Sequence, residues 1–307
     1  MAARDWLAVY LKGFAMGTAD AIPGVSGGTI ALIAGIYDRL VTAIATLDVA
    51  AGLALLTGLL SHDRERRRET TALIADLDLH FLAVLGIGIV TAAVTAANVI
   101  HVAVGRYPGP TYAFFFGLIL ASVVVLREAM TLDSPRGVLT AVAGFLLAWV
   151  LTGLTGGSMG EALPLVFLSG AVAICAMILP GISGSLILLA LGQYETIVDT
   201  VRELTTAVVA GGSVVEPATT LAVFTLGAGL GVLAFARVVA WALATYRSAT
   251  LTFLVALMVG ALRAPGSEIL AATTAWTPST VAVLLGMGII GGGLVVALDS
   301  VTAGVEY

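Results

Sequence analysis

Apolar residues fill long unbroken stretches of this chain, with polar residues gathered between them. Stretches near 80–104, 109–127, 136–155, 218–245, 248–263 and 278–298 are each about the length that crosses a bilayer as a helix. Two further apolar regions, 6–45 and 164–200, are interrupted part-way. The first breaks at Ala21-Ile22-Pro23-Gly24-Val25-Ser26-Gly27-Gly28, the second at Leu179-Pro180-Gly181-Ile182-Ser183-Gly184-Ser185. Proline removes a backbone donor and glycine loosens helix geometry, so neither helix continues through its break unaided. The runs flanking each break are only about 15 residues, too short to span comfortably. The pattern predicts six membrane helices and two broken segments, read as re-entrant hairpins, with a single crossing by each broken segment as the rival reading.

The breaks are copies of one another. An offset of 157 lays Pro23-Gly24-Val25-Ser26-Gly27 on Pro180-Gly181-Ile182-Ser183-Gly184, and Gly35, Tyr37 and Asp38 on Gly192, Tyr194 and Glu195. Over 23–41 against 180–198, nine of nineteen positions are identical, too many for membrane composition alone. An offset of 139 lays Gly88 on Gly227, Asn98 on Arg237, Tyr107 on Tyr246 and Phe114 on Phe253. The connector at 48–70 absorbs the difference. The expected architecture is therefore an all-α integral membrane protein, one membrane domain built of two repeats, 1–156 and 157–307. Each repeat is a re-entrant broken hairpin plus three transmembrane helices. Three crossings per repeat invert the second copy relative to the first, the arrangement common among secondary transporters.

Composition agrees. Hydrophobic residues make up 59% and charged residues 11% of the 307, with 36 glycines, and the mean hydropathy is +1.08. A soluble domain needs far more polar surface. A net charge of −5 offers no basic face for nucleic acid, and the single Cys175 excludes a disulfide scaffold. No metal-ligand spacing or nucleotide-phosphate loop is present, so no metal or cofactor is expected. No cleavable leader is read, because Asp5 stands where a basic segment is needed. Ten cations fall on the side of the termini and three on the other, with Arg237 inside a helix. That bias puts both termini in the cytoplasm and the protein in the cytoplasmic membrane. The residues specify no oligomeric state, driving force or direction.

Candidate chemistry gathers at the breaks. The helices restarting after them present free N–H groups and the positive end of a helix dipole. Gly27, Gly28 and Gly184 supply such N–H groups, and Ser26, Thr29, Ser183 and Ser185 add hydroxyls. Two such ends meeting from opposite leaflets form an anion site. Close helix packing by the glycines, with serines bonded to backbone, is the competing reading. Arg237, eight residues from the end of the 218–245 run, suits a phosphate or a buried acid. Asp20, whose repeat partner is Met177, is a cap for re-entrant backbone, a partner for Arg237 or a proton carrier. Asn98, Asp38 and Glu195 are candidates for polar support or coupling, the last two also for interfacial anchoring. Tyr37, Tyr194, Tyr107 and Tyr246 fit an aromatic belt equally well. Gly24-Val25-Ser26-Gly27-Gly28 matches the G-x-S-x-G nucleophile pattern. That elbow requires a strand before it, and a duplicated serine with histidines only in the first half argues against catalysis.

The run from Gly13 to Ala31, with Gly13-Phe14-Ala15-Met16-Gly17-Thr18-Ala19-Asp20 leading into the first break, is similar to the signature of one membrane family. Tyr112-Ala113-Phe114-Phe115-Phe116-Gly117-Leu118-Ile119, the second break and Phe235-Ala236-Arg237 extend the likeness over nearly the whole chain. The family is that of the PopT-type polyprenyl-phosphate transporters. The resemblance implies a flippase, not an enzyme, returning an undecaprenyl- or dolichyl-type phosphate to the cytoplasmic leaflet for recycling. Its expected partners are that lipid and the surrounding membrane lipids. A small-anion transporter or channel on the same fold is the alternative, and an intramembrane serine hydrolase the third reading.

Overall fold

The computed structural model describes residues 3–20, 26–59, 63–154 and 160–302. All regular elements among them are helical. The first half contains α1 (Ala3–Asp20), α2 (Gly27–Ile33), α3 (Tyr37–Ala45), α4 (Val49–Leu59), α5 (Arg64–Asp76), α6 (Leu79–Arg106), α7 (Pro108–Leu126) and α8 (Pro135–Leu151). The second contains α9 (Leu163–Ile178), α10 (Gly184–Leu191), α11 (Tyr194–Ala210), α12 (Val215–Thr245), α13 (Arg247–Ala261), α14 (Arg263–Ala272) and α15 (Pro278–Thr302). Neither broken region is a continuous helix. The offset of 157 carries Gly27 onto Gly184 and Tyr37 onto Tyr194, which are the first residues of matching helices.

Four runs are long and apolar enough to cross a membrane: Pro108–Ala129, Val215–Thr245, Arg247–Ala272 and Pro278–Ala297. The number becomes six if each of two bent pairs is one span: α2 with α3, bent by 116°, and Arg68–Asp76 with Leu79–Thr95, bent by 62°. This is a multi-pass membrane protein. The stretch expected to span at 136–155 ends as a helix at Leu151, where the Thr152 hydroxyl turns back to the Ala148 carbonyl. Its 17 residues reach about 25 Å, short of the roughly 30 Å hydrocarbon layer. The connector at 48–70 is itself helical, as α4 and α5, with Asp63 capping α5 through the Glu65 N–H.

Proline at the first turn starts α7, α8 and α9, where its missing N–H leaves no bond unmade. The corners before α7 and α13 match: Tyr107 has φ −136° and ψ 56°, Tyr246 φ −132° and ψ 46°. The main packing pairs are α1 on α6, α9 on α12, α7 on α15 and α8 on α13. Exchanging each helix for its sequence counterpart turns the first pair into the second and the third into the fourth. The last two pairs each join one half to the other.

Within α1–α6, a Cβ on Gly13 would strike the Leu85 carbonyl, and one on Gly88 the Tyr10 carbonyl. In α9–α12 their counterparts Gly170 and Gly227 lie as close to the carbonyls of Phe224 and Phe167. Lipid tails are as apolar as leucine, so such backbone-to-backbone contact is what holds membrane helices together. The outer faces carry Ile87, Val94, Leu139, Leu226 and Ile289, each more than half exposed, as a lipid-facing surface requires. The core includes much of α13, where Leu254, Leu257, Met258 and Ala261 are buried in one apolar cluster with Ile182, Ala31 and Phe81.

Two glycines on α6 separate packing from propensity. Gly86 has open space where its side chain would be, whereas Gly88 faces α1. Gly86→Ala is expected to leave the melting temperature in detergent unchanged or raise stability by about 0.5–1 kcal/mol. Gly88→Ala is expected to lower stability by about 1–3 kcal/mol through overpacking. Equal shifts for the two would contradict this helix contact.

Candidate functional site at the paired breaks

Ser26 lies just before α2 with extended backbone (φ −120°, ψ 130°), and its Oγ accepts the Gly28 N–H at 3.2 Å. Its carbonyl accepts the Thr29 N–H at 3.0 Å. The Gly27 N–H donates to Asp20 Oδ1 at 2.6 Å, so the residue that ends α1 supplies a carboxylate to the positive end of α2. Pro23 and Gly24 lie outside the described residues.

The second break runs from the end of α9 through Leu179, Pro180 and Gly181. Gly181 has φ +86°, and a Cβ there would sit 2.9 Å from that of Ala261, so only glycine fits beneath α13. Ser183 precedes α10 without capping it, and its hydroxyl pairs with that of Ser185 at 2.8 Å. The duplicated serines therefore have different jobs.

The two breaks meet. Ser26 Oγ donates to the Leu179 carbonyl at 3.2 Å, and the Gly181 N–H donates to Thr29 Oγ1 at 2.9 Å. Ser26, Thr29 and Ser183 are buried, as are Gly27, Gly28, Pro180, Gly181 and Gly184, while Ser185 is half-buried. Beside Gly28 lies a cavity of about 210 Å³, with Met16, Asp20, Tyr37, Met177 and Val232 among its walls. A slot of about 310 Å³ runs past Lys12, Thr18, Ile30, Phe114, Leu118 and Val295. A wider groove of about 600 Å³ opens between α7 and α15, lined by Phe116, Leu120, Trp276 and Ile289.

The remaining candidates spread outward. Arg237 is not at the breaks and has no carboxylate partner among the described residues. Its Nε donates to the Ala45 carbonyl at 3.2 Å and its Nη2 to the Leu47 carbonyl at 2.5 Å, closing the end of α3. Unsatisfied C-terminal carbonyls are a natural partner for a guanidinium. Asp38 pairs with Arg247 rather than facing the breaks, and Glu195 is exposed. Asn98 lies on α6, its side chain outside the described residues. Ser26 Oγ is engaged by backbone on both sides, so a serine nucleophile finds no base there among the described residues.

Residues 16–283 match the family described as undecaprenyl phosphate translocase-like. The chain belongs to that family. Its relatives include a polyprenyl-phosphate transporter of Vibrio cholerae, 38% identical over 265 residues that cover 84% of this chain and 77% of the relative. A polyprenyl-phosphate transporter of Staphylococcus aureus is 30% identical over 297 residues, 92% and 93% of the two chains. No solved structure matches. The family and relative names are those of transporters, which sets this translocase-like chain apart from the hydrolase reading.

Sequence reasoning missed the positions of two polar residues in this translocase-like fold. Tyr37 is 2% exposed whereas Tyr107 and Tyr246 are 64% and 58% exposed, so Tyr37 is no part of an aromatic belt. Lys12 donates to the Ala34 carbonyl at 2.7 Å, at the end of α2. The available signal was that Lys12 is the only lysine and lies within an apolar helix.

Thr29→Val keeps the shape of the junction and removes the acceptor for the Gly181 N–H. A buried amide left unpaired costs about 1–3 kcal/mol. Thr29→Val is expected to lower the melting temperature in detergent, and Thr29→Ser, which keeps the oxygen, to lower it much less. Equal losses would mean that packing of the threonine methyl, not the bond between breaks, matters.

Proposed function

We propose that this chain carries a polyprenyl phosphate between the leaflets of the cytoplasmic membrane, returning the lipid carrier for reuse. The observation that carries the reading is the hydrogen-bonded meeting of two duplicated breaks at the buried centre of a lipid-facing bundle, in a member of this family. A phosphate headgroup is small, charged and strongly hydrated, and needs donors and positive charge at depth to leave water. The headgroup is held at the start of α10, by N–H groups of that helix with the hydroxyls of Ser183 and Ser185. The α2 turn, with Ser26, Gly27, Gly28 and Thr29, faces it across the junction. Pro180 and Gly181 hold the chain open for this. Arg237 contributes positive charge from α12, about a turn and a half beyond Val232 on the cavity wall.

The apolar slot and the groove between α7 and α15 suit an isoprenoid tail, and their nonpolar walls favour a lipid over a small free anion. The repeats are read as inverted, with both termini cytoplasmic, and rocking of one against the other alternates access. Supporting this are the helix pairs that exchange under the repeat offsets and the cation bias of the termini side.

In vesicles containing the purified protein and a labelled polyprenyl phosphate, the label is expected to exchange between leaflets far faster than in protein-free vesicles. Replacing Ser183 and Ser185 together by alanine removes hydroxyl bonds to a charged group, each worth about 1.5–3 kcal/mol, and is expected to slow exchange at least about tenfold. No exchange by the wild-type protein would overturn the assignment. Full exchange by the double variant would move the headgroup away from α10.

A further inference from the structure

The cavity beside Gly28 has two polar side chains among its described lining residues, Asp20 and Tyr37. Its other walls are Met16, Leu40, Val41, Ile44, Ile89, Ile174, Met177, Ile178 and Val232, with Gly28. Tyr37 is 2% exposed, and its hydroxyl has no hydrogen-bond partner among the described residues. Buried hydroxyls in folded proteins are almost always bonded, so this one points to a small polar occupant. A volume of about 210 Å³ accommodates several waters at roughly 30 Å³ each. A calcium-like cation takes about 6–8 oxygens, which one carboxyl and one phenol do not provide. The chemistry that fits is water and a proton.

From this geometry we infer that Asp20 and Tyr37 form a proton-binding site, bridged by water, that couples proton movement to the transport proposed above. Asp20 Oδ1 is held by the Gly27 N–H, and no cation forms an ion pair with the carboxylate among the described residues. A proton from water on one face adds to Asp20 Oδ2, forming an O–H bond. The same bond breaks when the proton passes to water on the other face. Tyr37 orients the bridging water and exchanges no proton itself. The ionised carboxylate repels a phosphate brought to the neighbouring break, and the protonated one does not. Proton and lipid anion therefore move together. This rests on the transport reading for its cargo, but the proton site itself does not.

Charged and titratable groups on the packed elements are engaged elsewhere. Lys12 on α1 bonds the Ala34 carbonyl, Asp38 on α3 pairs with Arg247, and Arg237 on α12 holds the carbonyls of Ala45 and Leu47. The Cys175 thiol on α9 lies against the Gly231 carbonyl. The stretch of α6 around Ile89 carries no charged residue. In the second repeat Met177 takes the place of Asp20 and forms part of the same cavity wall. One carboxyl per molecule sets one proton per cycle.

Two measurements test the site. The first is infrared difference spectroscopy of the reconstituted wild-type protein, stepped in pH, following the C=O stretch of a protonated carboxyl. The band is expected to be lost in Asp20→Asn, which keeps an acceptor for the Gly27 N–H, and to shift in Tyr37→Phe. A band unchanged in both variants would overturn the site. The second is the steady-state distribution of labelled polyprenyl phosphate across vesicles holding a gradient of one pH unit. One proton per lipid gives about a tenfold imbalance for the wild type. None is expected for Asp20→Asn. An even distribution in a wild type that exchanges the lipid would overturn coupling. A wild type that shows the Asp20 band but moves no lipid would overturn the cargo and leave the proton site standing.

Discussion

A polypeptide that stops being helical inside hydrocarbon must find partners for the backbone groups it frees, because no water is there to take them. This protein does it by bringing two interruptions together and letting each bond to the other. Ser26 gives its hydroxyl hydrogen to the backbone of one break, and Thr29 accepts an amide from it. The rest of the architecture serves that meeting. Glycine contacts press α1 onto α6 and α9 onto α12, setting the helices that lead into both breaks at close distance to their supporting helices. The helix α13 packs against Gly181 and closes the junction from the side.

The duplication does not make the two breaks chemically alike. At the first, a serine caps its helix and a carboxylate takes the next amide, so the turn is internally satisfied. At the second, the serine does not cap and its hydroxyl turns to a neighbouring serine. The same split recurs at the tyrosines: Tyr37 is buried, whereas Tyr194 is about one-third exposed. Symmetry of backbone is thus combined with asymmetry of side chains, and the second break keeps its hydroxyls free of its own helix's amides.

Much of this was legible in the amino acids. Helix restarts just after each Pro-Gly break, at Gly27 and Gly184, follow from the breaks and the repeat offset, whereas the further starts at Tyr37 and Tyr194 were not read from the sequence. The long helices α6, α7, α12 and α15 follow from apolar length. What could not be read was who bonds to whom across the repeats. Arg237 stands out by interrupting an apolar run, but nothing local shows that the carbonyls it holds are about 190 residues away in sequence. The helices α4 and α5 were hidden in a connector whose charge pattern reads equally well as loop. Local pattern reports where a helix begins, but a partner brought in by tertiary packing leaves no trace in periodicity.

Arg39 and Asp78 bring two distant points of the chain together. The guanidinium grips both carboxylate oxygens, at 2.6 and 2.9 Å, and lies 4.2 Å over the Phe81 ring. Asp78 itself adopts a left-handed backbone (φ +51°) at the entrance to α6. The excursion between them, through α4 and α5, is thus cinched at its neck like a drawstring purse. Beyond Leu47, where Arg237 ties it to α12, its length can vary without tugging on that contact, which makes the stretch through α4 and α5 the natural place for the protein to gain or lose residues, or to accept a grafted reporter.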